Sequence, residues 1–305
     1  MVLSMKHPNF FIVGAPKCAT TALYRYLKTH PNIFMPEHKE PCFFCTDFPD
    51  RRVVDSLDEY LQLFADANEN HLAIGEASVW YLYSKVAIKN LYEFNPVSRL
   101  IVMLRNPIEQ AYAMHMQCSI EGFDVETDFV KAWRLQDIRK SGQGLPSPSK
   151  EAHPFLQYKE IASYDAQIKR LLSIFPQDQV KFILFDDLKS DPRRVYLEVL
   201  NFLELEDDKR HDFSVEHPSQ QFKVPWLGRF LLNQPKWLES LKLWIKRIFR
   251  VDRLLVGSFI AKHNVKVGNR NPLPPGFIAE LKDEFREEVA RVSVLIERDL
   301  SHWCE

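Results

Sequence analysis

At 305 residues, with 46% apolar and 12% aromatic side chains, the chain has material for one or two domains around a sizeable buried core. Forty Lys and Arg against 41 Asp and Glu leave a net charge of −1, which excludes the global basic field of a protein that coats nucleic acid, so any anion site has to be local. Only nine residues are glycine, which argues against repeats, collagen-like sequence and a glycine-rich phosphate loop.

The first apolar run, Phe10 to Val13, is short and lacks the basic flank, long apolar stretch and cleavage site of a secretory signal. No uncharged apolar stretch reaches the roughly 18 residues of a membrane span, so no integral membrane association is expected. Five scattered cysteines, Cys18, Cys42, Cys45, Cys118 and Cys304, do not form a disulfide framework, and a reducing cytoplasm is the expected compartment.

Asn9–Gly14 reads as a buried strand and Thr20–His30 as a helix, with Leu23, Tyr26 and Leu27 at i, i+3 and i+4. His71–Glu76 and Arg99–Leu104 read as further strands followed by helical pattern, and Pro107 opens one of those helices at its first position. Ser141–Pro154 holds glycine, proline and serine without periodicity and is expected to be a loop, a lid or a site of disorder. Val180–Phe185 is a fourth strand, with Asp186 and Asp187 expected to cap the next element. Beyond about Leu205 strand pattern fades. Trp226–Ile260 is rich in Trp, Leu, Ile and basic residues, and Pro275–Trp303 reads as one long amphipathic helix. Strands alternating with helices predict an α/β fold with a mainly parallel sheet covered on both faces, as a single domain, residues 1–305, whose last hundred or so residues are helical.

In parallel sheets ligands bind beyond the carboxyl ends of strands. The first strand runs into Ala15-Pro16-Lys17-Cys18-Ala19-Thr20-Thr21, where helix-start N–H groups, two hydroxyls and a lysine converge on one point suited to an anion. Gly14 lies three residues before Lys17 and no glycine directly precedes the lysine, so the nucleoside-triphosphate loop G-x-x-x-x-G-K-[ST] is not met. A Thr-Thr helix cap beside an exposed lysine is the alternative. Arg105 follows the strand Arg99–Leu104 and puts a permanent charge on the same edge, with a structural ion pair as its alternative. Glu40, between Lys39 and Pro41-Cys42-Phe43-Phe44, is a carboxylate placed to act as a base if packing desolvates it, or else a solvated loop acid. Cys42 and Cys45 form a single C-x-x-C with no second pair, so zinc or redox chemistry lacks the rest of its pattern.

Pro16–Thr21, Lys39–Phe44, Leu104-Arg105-Asn106-Pro107 and Phe185-Asp186-Asp187-Leu188, in this order, resemble the signature of sulfotransferases that use 3′-phosphoadenosine 5′-phosphosulfate (PAPS), in the branch with the heparan-sulfate enzymes and bacterial relatives. The resemblance spans roughly residues 8 to 303. It implies a P-loop-like α/β fold and an enzyme that releases 3′-phosphoadenosine 5′-phosphate (PAP) and needs no metal. It also implies roles: Lys17, Cys18, Ala19, Thr20 and Thr21 hold the 5′-phosphosulfate, Lys17 balances the leaving oxygen, Arg105 takes the 3′-phosphate, and Glu40 is the acceptor's base. Val267-Gly268-Asn269-Arg270 resembles the loop that closes over the nucleotide, with Gly268, Asn269 and Arg270 as contacts.

Three positions depart from the family pattern. Ala113 stands where a serine usually helps bind the 3′-phosphate, which costs about 1 kcal/mol. Ala19 replaces a frequent glycine, tolerable if its φ is negative, and Cys42 stands where several relatives have histidine. His38, Cys42, Phe43, Phe44, Trp80 and Tyr81 are candidates for the acceptor side. The basic run Lys242, Lys246, Arg247, Arg250 and Arg253 reads as a solvated or membrane-surface face. The expected partner is a small-molecule acceptor, such as a natural-product alcohol or amine of secondary metabolism, a saxitoxin-type alkaloid being one candidate, with an oligosaccharide as the alternative. Two further classes stay open: a small-molecule kinase, which would require magnesium and ATP, and a non-catalytic nucleotide-binding protein.

Overall fold

Phe10, Phe11, Ile12 and Val13 have no exposed surface, and this unbroken apolar run puts Phe10–Gly14 (β1) at the centre of a sheet buried on both faces. The computed structural model describes residues 7–145, 154–214, 220–222, 265–267 and 272–305. After β1 come α1 (Thr20–Lys28), β2 (Ile33–Phe34), α2 (Leu57–Gln62), β3 (Ala73–Ala77), α3 (Ala87–Phe94), β4 (Arg99–Leu104) and α4 (Pro107–Glu121). There follow α5 (Phe129–Arg134), α6 (Gln136–Lys140), α7 (Tyr158–Ala162), α8 (Asp165–Leu172), β5 (Val180–Leu184), α9 (Phe185–Ser190) and α10 (Pro192–Phe202). The last described elements are β6 (Gln220–Phe222), β7 (Val265–Val267) and α11 (Pro275–Leu295).

The described chain divides into two compact units. The first comprises Met1–Ala111, Lys159–Val215 and Ile278–Glu305. It carries a five-stranded, wholly parallel sheet in the order β2-β3-β1-β4-β5, with helical crossovers, as the alternating pattern predicted. Gly14 closes β1 where a Cβ would lie 2.7 Å from the Leu82 Cβ and 3.2 Å from the Val79 carbonyl oxygen. Only glycine lets the end of β1 approach the Val79–Leu82 segment this closely.

The second unit comprises Tyr112–Tyr158 and Glu216–Phe277. Within it Arg139 forks onto both oxygens of Asp124 at 2.7 Å, with both side chains almost wholly buried, and the Tyr158 hydroxyl donates to Asp124 at 2.5 Å. Such a pair is tolerated in the interior because its hydrogen bonds replace lost hydration. β6 and β7 form a separate antiparallel pair with Gln220 opposite Val267.

Several boundaries differ from the sequence reading. The helix expected over Thr20–His30 stops at Lys28, and β2 is too short to leave a periodic signature. The helix expected over Pro275–Trp303 ends at Leu295. There Glu297 takes φ 53°, its N–H reaches the Val294 carbonyl, and the Arg298 N–H reaches back to that of Ser293. This is a Schellman stop made without glycine, hence invisible to a glycine-based rule. Asp186 and Asp187 do not cap α9; they lie in its first turn, whose preceding residue is Leu184. The stretches 146–153, 223–264 and 268–271, which contain most of the Ser141–Pro154 loop, the basic run and the Gly268-Asn269-Arg270 match, lie outside the described residues. Among the described residues no helix is long and apolar enough to cross a membrane.

Candidate active site

β3, β1 and β4 are neighbours in the sheet; the loops leaving β1 and β4 carry Lys17 and Arg105, and the loop leaving β2 brings Glu40 to the carboxyl end of β3. At the end of β1 the Ala15 N–H donates to the Met103 carbonyl on β4 at 2.7 Å, and the chain then turns through Lys17 and Ala19, both left-handed at φ 64° and 65°. Left-handed residues in a tight loop turn successive N–H groups to one side, the backbone pattern of an anion-binding nest. α1 starts directly behind it, so the Thr20 and Thr21 N–H groups have no intrahelical acceptor and the helix dipole points its positive end into the loop. Lys17 is exposed and Thr20 buried. The helix is preceded by Ala19 with no side-chain cap, so the Thr-Thr cap is not formed.

The Cys18 side chain is turned inward, its sulfur 3.5 Å from the Pro16 carbonyl oxygen and 3.8 Å from the Tyr164 hydroxyl. Burial pushes this thiol up to about 12, so the side chain is a packing group. The positive φ of Ala19 answers the condition set by the sequence: the methyl is strained there. Ala19→Gly is expected to stabilise the fold by about 0.5–1 kcal/mol, the relief of strain exceeding the entropy given to the unfolded chain. Chemical denaturation measures this, and a lower midpoint for the glycine variant would contradict it.

Arg105 leaves β4 one residue past its last paired position. Its Nε and Nη2 donate to one oxygen of Glu109, at 2.9 and 2.5 Å, and its Nη1 donates to the Lys17 carbonyl oxygen at 3.3 Å. The guanidinium lies 4.1 Å from the ring centroid of Phe185, and the Tyr164 hydroxyl donates to the Arg105 carbonyl oxygen at 3.2 Å. The ion pair weighed for this arginine is therefore present. Of its five N–H donors three are committed among the described residues, leaving one on each terminal nitrogen, enough to grip one further anion. Phe185 and Tyr164 were not anticipated as site residues. The Phe185-Asp186-Asp187-Leu188 motif was legible, but not that its ring would stack on Arg105. Ala113, in α4, is buried.

Glu40 takes φ 67° in a loop stitched to the residues after β3: its N–H donates to the Ala77 carbonyl oxygen at 3.0 Å, and its Oε2 accepts from the Val79 N–H at 3.0 Å. Lys39 pairs with Oε1, and the carboxylate is about one-third exposed. Cys42, at φ 50°, donates its N–H to the Ser78 hydroxyl oxygen at 2.9 Å. Four left-handed non-glycine residues thus fall in the two loops that carry Lys17 and Glu40, a concentration of strain typical of functional sites.

Directly before this anchor lies Glu76, on β3 and with no exposed surface, whose Oε2 accepts from the hydroxyls of Tyr81 at 2.6 Å and Tyr60 at 3.1 Å. Burial raises its carboxyl from 4.5 to about 7, against the hydrogen bonds that lower it. Between these values the folded state binds more protons than the unfolded chain, so this group's contribution to stability falls as pH rises through the window. Up to about 3 kcal/mol is involved. Glu76→Gln is expected to remove that part of the slope; parallel stability–pH curves for variant and wild type between pH 4.5 and 7 would assign the titration elsewhere.

The expected acceptor-side residues separate into two groups. His38 is exposed and Phe43 half-buried, stacked on Tyr60 at 4.6 Å. Phe44, Tyr81 and Cys42 are core residues: the Phe44 ring packs among Phe11, Tyr60 and Tyr81, the Tyr81 hydroxyl is spent on Glu76, and the Cys42 thiol is buried. Trp80 is nearly buried under the Arg51 guanidinium at 5.6 Å. The Cys45 thiol is raised by a hydrogen bond with Cys42 and by burial, which disfavours its reactive thiolate form. All five cysteines are free thiols, and among the described residues no cluster of three or more potential ligands is placed to hold a metal.

Residues 7–223 match the sulfotransferase domain family. The chain is 31% identical over 267 residues to human carbohydrate sulfotransferase 15, covering 72% of this chain and 48% of that protein. It is 27% identical over 200 residues to the human bifunctional heparan sulfate N-deacetylase/N-sulfotransferase 3, covering 64% and 22%. It therefore spans half or less of these relatives' length. A solved sulfotransferase from Alicyclobacillus acidocaldarius superposes with a TM-score of 0.71 at 28% identity, over 98% of this chain and all of the other. The parallel sheet, the anion loop after its central strand and the family match over more than two thirds of the sequence agree: the chain belongs to the sulfotransferase domain family.

Proposed function

We propose that this protein, working as one sulfotransferase domain, transfers the sulfuryl group of PAPS to a hydroxyl or amine. The observation that carries this is the convergence of the Lys17 loop, Arg105 and Glu40 on the ends of three adjacent strands, with the Lys17 carbonyl bonded to Arg105 and Glu40 bonded to the segment after β3. The nest and the α1 N-terminus suit a 5′-phosphosulfate, and the two uncommitted N–H donors of Arg105 suit a 3′-phosphate. PAPS, when bound, supplies an activated sulfur–oxygen bond. The chain's work is to hold that group in line with the acceptor, to neutralise the leaving oxygen with Lys17 and the helix start, and to take the acceptor proton on Glu40. The S–O bond to the phosphate breaks as the bond from sulfur to the acceptor oxygen or nitrogen forms, and PAP leaves with the electron pair.

For the acceptor, the sequence reading of a small natural product, including an alkaloid of the saxitoxin type, is retained as the first candidate, with the cytoplasm as its compartment. A second reading, an oligosaccharide, is favoured by relatives named for carbohydrate and heparan sulfate. Incubation of the protein with PAPS, or with ATP and magnesium, and a panel of both acceptor classes separates these readings by mass spectrometry. Gain of one sulfuryl group from PAPS supports the proposal. Transfer from ATP would make the protein a kinase, and tight PAP binding without transfer to any acceptor would make it a binding protein.

A further inference from the structure

The ladder between β4 and β5 ends at the pair Leu104 and Leu184. One step further along the same register stand Arg105 and Phe185, which touch as cation and ring. One step beyond stand Asn106 and Asp186, and here the sheet no longer holds the two chains together. Trp303 does. Its carbonyl oxygen accepts from Asn106 Nδ2 at 2.9 Å, and its indole Nε1 donates to Asp186 Oδ2 at 2.9 Å. The indole is 2% exposed, and it is delivered there by the Schellman stop of α11 and by Arg298, which bonds Asp187 at 2.9 Å. The amide oxygen of Asn106, Oδ1, accepts the Ile108 N–H at 3.0 Å, so the same side chain fixes the start of α4.

We propose that Trp303 is a positioning residue for the 3′-phosphate site: it ties the two strand ends beyond the last sheet pair and so holds Phe185 against the guanidinium of Arg105. This rests on the reading of Arg105 as the 3′-phosphate ligand. A stacked, braced guanidinium presents its remaining donors in one orientation, whereas a loose one loses conformational freedom on every binding event. The effect therefore falls on the part of nucleotide affinity due to the 3′-phosphate and spares the part due to the 5′ end.

Calorimetry with adenosine 3′,5′-bisphosphate and with adenosine 5′-phosphate reads that difference directly. In Trp303→Phe, which keeps a ring but loses the indole N–H, and in Asp186→Ala, which removes the acceptor, the preference for the bisphosphate is expected to fall about threefold to tenfold, the worth of one hydrogen bond. Adenosine 5′-phosphate binding should stay within about twofold of wild type, and Asp186→Asn, which keeps an acceptor oxygen, should restore the preference. An unchanged preference in both Trp303→Phe and Asp186→Ala, or equal weakening of the two nucleotides, overturns the inference. Arg105→Ala tests the reading beneath it: a preference that survives this change removes Arg105 from the 3′-phosphate, while one that collapses there but persists without the Trp303 contact overturns only the brace.

Discussion

Glu40→Gln is expected to keep nucleotide affinity while lowering turnover by about 10²–10⁴-fold, the usual share of general-base catalysis. Glutamine is nearly isosteric, and its amide oxygen can still accept the Val79 N–H, so the loop tied to Ala77 and Val79 keeps its shape. What disappears is the ability to hold the acceptor's proton. Lys39 pairs with Oε1, and the Val79 N–H holds Oε2 at the strand end. Steady-state rates with saturating PAPS, alongside calorimetric PAP binding, make the test. Near-normal turnover would move the base elsewhere, with exposed His38 two residues away as the next candidate.

Lys17→Ala is expected to damage both quantities, with turnover falling about 10²–10³-fold and PAP binding about tenfold. The lysine is the charge nearest the nest, and in the proposed transfer negative charge accumulates on the leaving oxygen, so its contribution grows towards the transition state. Backbone N–H groups and the α1 dipole remain in the variant, and they set the residual rate. Binding of PAP unchanged by calorimetry would place Lys17 outside the loop's anion site. Arg105 is not expected to substitute for it, because three of its five donors are already committed, one to the Lys17 carbonyl and two to Glu109.

The sheet was legible in the sequence because continuous apolar runs such as Phe10–Val13 and Leu100–Leu104 are what strands buried on both faces require. The placement of Lys17, Arg105 and Glu40 was legible for a related reason: each follows or approaches a strand end, where a parallel sheet exposes its ligand edge. Glu76 was not, since an acid inside an apolar strand looks like a boundary until Tyr60 and Tyr81, 16 and 5 residues away, are seen to turn their hydroxyls onto it. The Arg105–Phe185 stack and the Trp303 brace join residues far apart in sequence, and no local pattern encodes them. The end of the last helix was missed where left-handed Glu297 did work normally assigned to glycine.

Those left-handed, non-glycine residues have a consequence for inhibitor design. A backbone held at Lys17, Ala19, Glu40 and Cys42 in conformations that side chains rarely adopt has few alternative shapes to visit. Ligand entry then requires little ordering of the loops, and affinity follows the placement of anionic groups on the ligand. Rigid bisanionic compounds that match the spacing of the nest and Arg105 should gain more from their own stiffness here than they would against a glycine-rich phosphate loop, whose flexibility would absorb part of the benefit.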